Sequence, residues 1–258
     1  MNSLPADSDK FHDECGVFGV SGHDDAAALS ALGLHALQHR GQEACGIVTH
    51  DAERFYAHRA LGLVDETFSK KAVIERLKGR NAIGHNRYAT TGGTLERNIQ
   101  PLYADLSFGG FALAHNGNLT NTNALRRHLV NEGAIFQSTT DTEVIIHLVA
   151  VSKKKTIVER VIDALKQIEG AYSLIALMDG QMIGVRDPNG FRPLVLGRLG
   201  RAHILASETC ALDIIGAQFV RDIEPGEMVV INDKGILSQR PFGENPSRFC
   251  VFEYIYFA

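Results

Sequence analysis

The chain has 258 residues, of which 45% are hydrophobic and 22% charged, and it contains 25 glycines and 7 prolines. This balance is typical of a globular protein of one or two domains, and it excludes a disordered, collagenous or coiled-coil chain. The formal net charge of -4 gives no reason to expect binding to nucleic acid or to an anionic membrane, so the expected ligand is a small molecule.

The first fourteen residues form a polar leader. They contain four acidic residues, one lysine and no apolar core segment, which excludes a secretory signal and a mitochondrial transit peptide. We expect residues 1–14 to be a disordered leader or propeptide. Apolar stretches elsewhere are shorter than the ~20 residues that cross a bilayer, and the four cysteines form no CxxC pair. We therefore expect no membrane contact and a cytoplasmic, reducing location.

Strands and helices come in blocks along the first half of the chain. The pattern predicts a buried strand at 15–20, a helix at 26–39 that stops before Gly41, a hairpin at 47–50 and 54–58, a short helix at 72–77 and a strand at 82–85. The segment RYATTGGT, residues 87–94, is rich in glycine and threonine and is predicted to be an irregular loop.

The middle of the chain predicts one strand and three helices. The strand at 108–115 ends at Asn116-Gly117, and a helix follows at 122–132. Residues 140–143, TDTE, have the form of a capping box that begins a second helix. The third helix is amphipathic and covers 157–168.

Beyond Gly170 the pattern changes to short apolar runs separated by turn residues. They predict strands at 172–178, 182–186, 194–196, 203–206, 228–231 and 235–238. Together the blocks predict an α+β layered fold with largely antiparallel sheets and no linker from residue 15 onward. The final residues, FCVFEYIYFA, carry a single charge, and we expect the natural chain to continue beyond Ala258 into a second domain.

Cys15 is the candidate nucleophile. If the bond after Glu14 were cut, the α-amine of Cys15, with a reference pKa near ~7.7 to 8.0, would lie beside its own thiol, near ~8.5. The amine could then accept the thiol proton, so that one residue supplies both nucleophile and base. The alternative is that Cys15 is a small buried hydrophobic residue in a strand.

Three further positions fit acyl transfer on an amino-acid substrate. The Asn116 amide and the Gly117 backbone N–H could stabilise an oxyanion, although Asn-Gly is also a common hairpin turn. Arg87 could bind an α-carboxylate, or it could be an ordinary surface arginine. Asp141 could hold an α-ammonium, or it could simply complement a helix dipole.

A set of segments carries a family resemblance. In order, they are DECGVFGV (13–20), LQHRGQEACGI (37–47), GHNRYATTGG (84–93), LAHNGNLTN (113–121), STTDTEV (138–144), RDPNGFRPLVLG (186–197), ASETCALD (206–213), IEPGE (223–227) and CVFEYIYFA (250–258). The chain resembles the glutaminase domain of the amidophosphoribosyltransferase family over nearly all of 13–258. The downstream segments separate it from other amidotransferases with an N-terminal nucleophile.

The resemblance implies a four-layer αββα sandwich and a mechanism. Cys15 would become the N-terminus after propeptide removal and attack the side-chain amide of glutamine. The matching positions in this chain are Asn116 and Gly117 for the oxyanion, Arg87 and Asp141 for the ends of glutamine, and Thr90 and Gly41 for the pocket. A thioester would form and be hydrolysed to glutamate.

The resemblance also implies partners and cofactors. Ammonia would react with phosphoribosyl pyrophosphate in a C-terminal domain, absent here, that binds Mg²⁺, and the product would be 5-phosphoribosylamine in the first step of purine synthesis. The family forms homo-oligomers, typically tetramers. In members with a propeptide, a cysteine at the position of Cys250 is a ligand of a 4Fe-4S cluster, which requires further cysteines. The alternative for Cys250 is an ordinary buried cysteine.

Two other functions remain open. A glutaminase domain of the glucosamine-6-phosphate synthase type shares the nucleophile and the Asn-Gly pair, but it usually has Trp where this chain has Tyr88. A regulatory module whose leader is never cut would have no activity.

Overall fold

The structure is a computed structural model that describes residues 15–88 and 95–243. The expected leader at 1–14, the pocket candidate Thr90 and the cluster candidate Cys250 lie outside the described residues. The strands are β1 Gly16–Ser21, β2 Ala44–His50, β3 Phe55–Leu61, β4 Asn81–Arg87, β5 Leu102–Leu106, β6 Gly109–Leu119, β7 Gly170–Met178, β8 Gln181–Arg186, β9 Val195–Leu199, β10 Ala202–Ala206, β11 Gln218–Asp222, β12 Met228–Asn232 and β13 Gly235–Gln239.

The helices are α1 Ala26–Ala36, α2 Val64–Phe68, α3 Lys71–Ile74, α4 Thr122–Asn131, α5 Thr142–Val151, α6 Ile157–Leu165 and α7 Cys210–Asp213. Two short 3₁₀ helices cover Gln38–Arg40 and Glu96–Asn98. No helix of the described part of the chain has the length and apolar character needed to span a membrane.

The strands form two antiparallel sheets. The first sheet has the order β11-β9-β10-β1-β4-β2-β3, and the second has the order β13-β12-β8-β7-β6-β5. Between them lies a layer of fully buried aliphatic side chains, such as Val17 and Ile83 from the first sheet and Ala114 and Ile175 from the second. Burial of this layer on both sides holds the sheets face to face.

Helices cover the outer face of each sheet. Leu34 and Leu37, on and just after α1, pack with Phe18 and Ile47 against the first sheet, together with α2 and α7. Helices α4, α5 and α6 cover the second sheet, and α6 does so through the apolar face that the spacing of residues 157–168 predicts. The predicted αββα sandwich is confirmed, since each sheet has one face toward the other sheet and one toward helices.

The predicted hairpin of β2 and β3 is confirmed, with Ala44 opposite Leu61 and His50 opposite Phe55.

Several short elements were not predicted. The sequence gives no prediction for α2, β5, α7 or β11, each of four or five residues. Strand β11 lies at the edge of the first sheet, and its Phe219 and Val220 are half exposed, so no alternation of buried and exposed residues marks it.

Two local predictions are wrong. The strand predicted to end at Asn116-Gly117 continues to Leu119 as β6 and pairs with β7 from Phe111 to Leu119, which also excludes the hairpin-turn alternative for this pair. The predicted capping box of α5 is not formed either: the Glu143 carboxylate accepts hydrogen bonds from the backbone N–H groups of Gln137 and Ser138, at 2.8 and 2.7 Å. The Glu143 side chain thus binds the preceding loop and is not available to form the capping box.

Candidate active site

Cys15 lies directly before β1, near the middle of the first sheet. It is partly exposed, and its thiol contacts the Tyr88 carbonyl with an Sγ···O distance of 3.7 Å. Cys45, by contrast, is completely buried, and burial raises the pKa of its thiol to about 11. The structure thus separates one accessible thiol from one inert packing thiol, which argues against the buried-hydrophobe alternative for Cys15.

The backbone at Cys15 is held by groups that sequence reasoning missed. The Arg40 side chain is fully buried, and its Nε donates to the Cys15 carbonyl at 3.1 Å. Its Nη1 donates to the Glu208 carboxylate. The Ser207 hydroxyl accepts from the Val17 N–H at 2.9 Å. These contacts join residues 15–17 to the segment after β10, so the position of the thiol is fixed from its main chain.

Arg87 ends β4, beside Cys15, because β4 pairs with β1 so that Asn86 lies opposite Gly16. Arg87 is 4% exposed, and its Nη1 donates to the Asn98 carbonyl at 2.9 Å. Gly41 does not line the pocket beside Cys15; it packs on the Arg87 backbone. A Cβ at Gly41 would lie 2.7 Å from the Arg87 carbonyl carbon, so only glycine fits there without displacement.

Asn116 and Gly117 lie within β6 of the second sheet. Asn116 is completely buried, and neither its amide nitrogen nor its amide oxygen has a hydrogen-bond partner in the described part of the chain. Gly117 has φ 144°, and a Cβ there would lie 2.0 Å from the Ala171 carbonyl oxygen on the neighbouring strand. Buried polar atoms without a partner are rare in folded proteins and call for a ligand or a chemical explanation.

Asp141 immediately precedes α5. Its Oδ2 accepts from the Leu119 N–H at 2.9 Å, and its Oδ1 lies 3.6 Å from His115 Nδ1. Burial disfavours the charged carboxylate, but the charge and hydrogen bond of His115, with two backbone N–H groups, lower the pKa of Asp141 below its usual value. Asp141 is therefore an anion at neutral pH.

A buried network joins the Asp141 region to β6. Gln100 accepts from the His115 N–H at 2.8 Å and donates to the Thr142 hydroxyl at 3.0 Å. His85 Nε2 donates to the His115 carbonyl at 3.0 Å; burial, with Arg87 nearby, lowers the pKa of His85 to about 3 and keeps it neutral. In the sequence, His115 directly precedes the candidate site residue Asn116, and this adjacency is the sign from which the network could have been suspected.

A small pocket brings four of the predicted residues together. Its lining comprises Cys15, Arg87, Tyr88, Gln100, His115, Gly117, Asn118, Thr140 and Asp141. We call this the Cys15 pocket. It combines a thiol, a guanidinium and a carboxylate from three separate parts of the chain. The free space is about 20 Å³, room for about one water molecule, so an amino acid would enter only if lining side chains move outward.

A larger cavity of about 780 Å³ lies elsewhere, between β3, β5 and α5. Its described lining includes Arg59, Tyr103 and His147 but none of the predicted site residues and no cysteine. Size alone therefore does not identify the site, because the described lining of the larger cavity contains no thiol.

Comparison with known proteins gives consistent matches. A family model described as "Glutamine amidotransferase domain" matches residues 85–213, half of the chain. An amidophosphoribosyltransferase of Rhizobium etli is 54% identical over 259 residues, covering 98% of this chain and 52% of that protein. The resemblance identified from the sequence is confirmed. The chain spans about half the length of the curated relatives it matches.

Two solved structures are similar over most of the chain. One, described as the allosteric regulatory enzyme of purine biosynthesis, has a TM-score of 0.91 and 47% identity, covering 95% of this chain and 52% of the other. The other, glutamine phosphoribosylpyrophosphate amidotransferase from B. subtilis complexed with ADP and GMP, has a TM-score of 0.89 and 45% identity, covering 95% and 53%. The family model matches half of the chain, and the solved structures agree with it in fold. The chain therefore belongs to the glutamine amidotransferase domain family.

Proposed function

We propose that this chain hydrolyses the side-chain amide of glutamine, with Cys15 as the nucleophile. The observation that carries the proposal is the Cys15 pocket, in which a partly exposed thiol lies with Arg87, Gly117 and Asp141. Membership of the glutamine amidotransferase domain family supports the same substrate.

The two charged groups of the pocket match the two ends of a free amino acid. The Arg87 guanidinium would bind the α-carboxylate in a charge-assisted pair, and the anionic Asp141 would bind the α-ammonium. With both ends held, the side-chain amide of glutamine is directed toward the Cys15 thiol. Holding the reacting groups together in this way removes much of the entropic cost of the reaction.

The chemistry requires that the α-amine of Cys15 be free, so residues 1–14 would be removed first. The thiol proton passes to that amine while sulfur attacks the amide carbon. The Asn116 amide and the Gly117 N–H would donate to the resulting oxyanion, which gives the unpartnered Asn116 nitrogen a partner. The amine then returns the proton to the leaving nitrogen, the C–N bond breaks and ammonia departs. Water hydrolyses the thioester to glutamate.

The test compares two cysteine variants. Cys15→Ala should lose glutamine hydrolysis entirely while its unfolding curve stays unchanged, because its thiol supplies chemistry. Cys45→Ala, the matched control, should keep turnover because Cys45 is buried away from the pocket. N-terminal sequencing of the active protein should start at Cys15. Normal turnover by Cys15→Ala refutes the proposal, and an uncut terminus without activity favours a regulatory module.

We further propose the role of the whole protein from its relatives. Similarity to an amidophosphoribosyltransferase over 98% of the chain supports use of the ammonia with phosphoribosyl pyrophosphate, giving 5-phosphoribosylamine in the first step of purine synthesis. It favours this role over that of a glucosamine-6-phosphate synthase. A Mg²⁺-binding phosphoribosyltransferase domain, a homo-oligomer and a cytoplasmic location belong to the same proposal.

A 4Fe-4S cluster at Cys250 also remains a proposal. Such a cluster takes thiolate ligands, normally four. The described cysteines are Cys15, Cys45 and Cys210, and their thiols contact the Tyr88, Leu63 and Ala36 carbonyls respectively. No step of the glutamine chemistry depends on the cluster.

A further inference from the structure

Three metal-binding side chains meet outside the Cys15 pocket. They are His39 in the 3₁₀ helix after α1, Glu208 in the turn after β10, and Cys210 at the start of α7. One ligand atom from each lies within 4.8 Å of the others. The three types, imidazole, carboxylate and thiolate, are the ligands of zinc sites in proteins.

The separations around Glu208 are close to those of a tetrahedral zinc centre. Zinc bonds of about 2.0 Å to nitrogen and oxygen and about 2.3 Å to sulfur imply, at tetrahedral angles, separations of about 3.3 Å for N···O and about 3.5 Å for S···O. His39 Nε2 lies 3.1 Å from Glu208 Oε2, and Cys210 Sγ lies 3.6 Å from the same oxygen. A cation between them therefore requires only small side-chain movements.

The orientation of His39 supports the same conclusion. His39 Nδ1 lies 3.1 Å from the Ala36 carbonyl oxygen, which can only accept, so Nδ1 carries the proton. This hydrogen bond directs Nε2 toward the Glu208 carboxylate, to which Nε2 donates in this structure, and Nε2 would release that proton when a cation binds. A histidine that binds a metal through one ring nitrogen commonly donates from its other ring nitrogen to a backbone carbonyl, and this hydrogen bond orients the ring.

The site is open to solvent. His39 is 45% exposed, whereas the Glu208 side chain is 16% exposed, so a cation can approach from the His39 side. Arg40 donates to Oε1 of Glu208, so a metal ion would be bound through Oε2, the oxygen that His39 and Cys210 face. A soft or borderline cation is favoured, because a thiolate ligand selects against Mg²⁺ and Ca²⁺.

We propose that His39, Glu208 and Cys210 form a site for a divalent cation of the zinc type, with the fourth coordination position open. The site is distinct from the Cys15 pocket and does not depend on the proposed function. It is joined to that pocket through Arg40, which contacts both Glu208 and the Cys15 carbonyl.

Cobalt titration tests the proposal, with the Cys15→Ala chain as the host so that the thiol of the Cys15 pocket is absent. We expect one equivalent of Co²⁺ to give thiolate-to-cobalt charge-transfer absorption, and Zn²⁺ to displace it. Adding Cys210→Ser should abolish the band, and adding His39→Ala should weaken binding at least about 10-fold. His203→Ala on β10, a histidine outside the cluster, should bind as the host does.

A second measurement needs no variant. In the unsubstituted protein, Zn²⁺ should slow alkylation of Cys210, read by mass spectrometry, and a chelator should restore the rate. The proposal is overturned if the cobalt band persists in the Cys210→Ser chain, or if excess Co²⁺ gives no band and Zn²⁺ leaves Cys210 alkylation unchanged. Loss of the band in His203→Ala as well would attribute the signal to misfolding rather than to the cluster.

Discussion

The substitution Asn116→Ala should lower the rate of catalysis while leaving the stability of the fold nearly unchanged. The side chain is completely buried, and its two amide atoms have no hydrogen-bond partner within residues 15–88 and 95–243. A buried unsatisfied polar group costs about 1–3 kcal/mol, so removing the amide relieves a penalty. The small cavity that remains costs about 1 kcal/mol at about 24 cal/mol per Å³. The two effects offset each other, and stability should change by less than about 1 kcal/mol.

Turnover should respond very differently. Loss of one oxyanion donor lowers kcat by about 10²–10³-fold, which is about 2.7–4 kcal/mol in the transition state. The assay is glutamate release at saturating glutamine, beside urea unfolding of the same preparation. KM should change little, because the amide acts on the oxyanion rather than on the charged ends of glutamine.

Asn86→Ala is the matched control for stability. Asn86 is equally buried, but its amide nitrogen donates to the Leu34 carbonyl at 2.6 Å. Its removal takes away one of the hydrogen bonds that the Leu34 carbonyl accepts, another coming from the Leu37 N–H at 3.1 Å, and with the cavity it should cost about 1.5–2.5 kcal/mol. If Asn116→Ala instead unfolds as easily as Asn86→Ala while its kcat stays within a factor of about 3, Asn116 has a structural role and the oxyanion assignment is refuted.

Three further outcomes are expected. Gly41→Ala should raise KM for glutamine about 10-fold, since its Cβ would lie 2.7 Å from the Arg87 carbonyl carbon; an unchanged KM would separate Gly41 from the site. Asp141→Asn should raise KM strongly; in the native chain the lowered pKa keeps Asp141 charged, so KM measured against pH should rise only below about pH 4. Although partial burial opposes the charge, the ion pair with Arg221 and other hydrogen bonds lower the pKa of Glu227 to about 2. Glu227→Gln should therefore cost about 1–3 kcal/mol of unfolding free energy above about pH 4.5, and this cost should vanish as the pH falls toward about 2. An equal cost at both pH values would contradict the ion pair.

The layered fold could be predicted because long periodic segments dominate it. The apolar face of residues 157–168 and the alternation of strands and turns after Gly170 are strong local signals. Strand β11 could not be predicted, since an edge strand with exposed Phe219 and Val220 has no periodic pattern. Asn116-Gly117 misled for a related reason. Its local preference is a turn, but the pairing of β6 with β7 from Phe111 to Leu119 overrides that preference.

The site was predictable as a set of residue types, and less so as a geometry. Cys15, Arg87 and Asp141 carry functional groups whose chemistry is readable from the sequence, and they line one pocket. The supporting residues were not readable. Arg40 and Gln100 act through hydrogen bonds to main-chain groups 25 and 15 residues away, and such contacts leave no local pattern.

The two sheets contribute different halves of the proposed machinery. Cys15 and Arg87 belong to the first sheet, whereas Asn116 and Gly117 belong to the second. The thickness of the aliphatic layer that contains Ala114 and Ile175 therefore sets how far sulfur lies from the amide donors. Enlarging a side chain in that interior would widen this spacing without touching the substrate. Selection on such interior volumes is then selection on reaction rate as well as on folding.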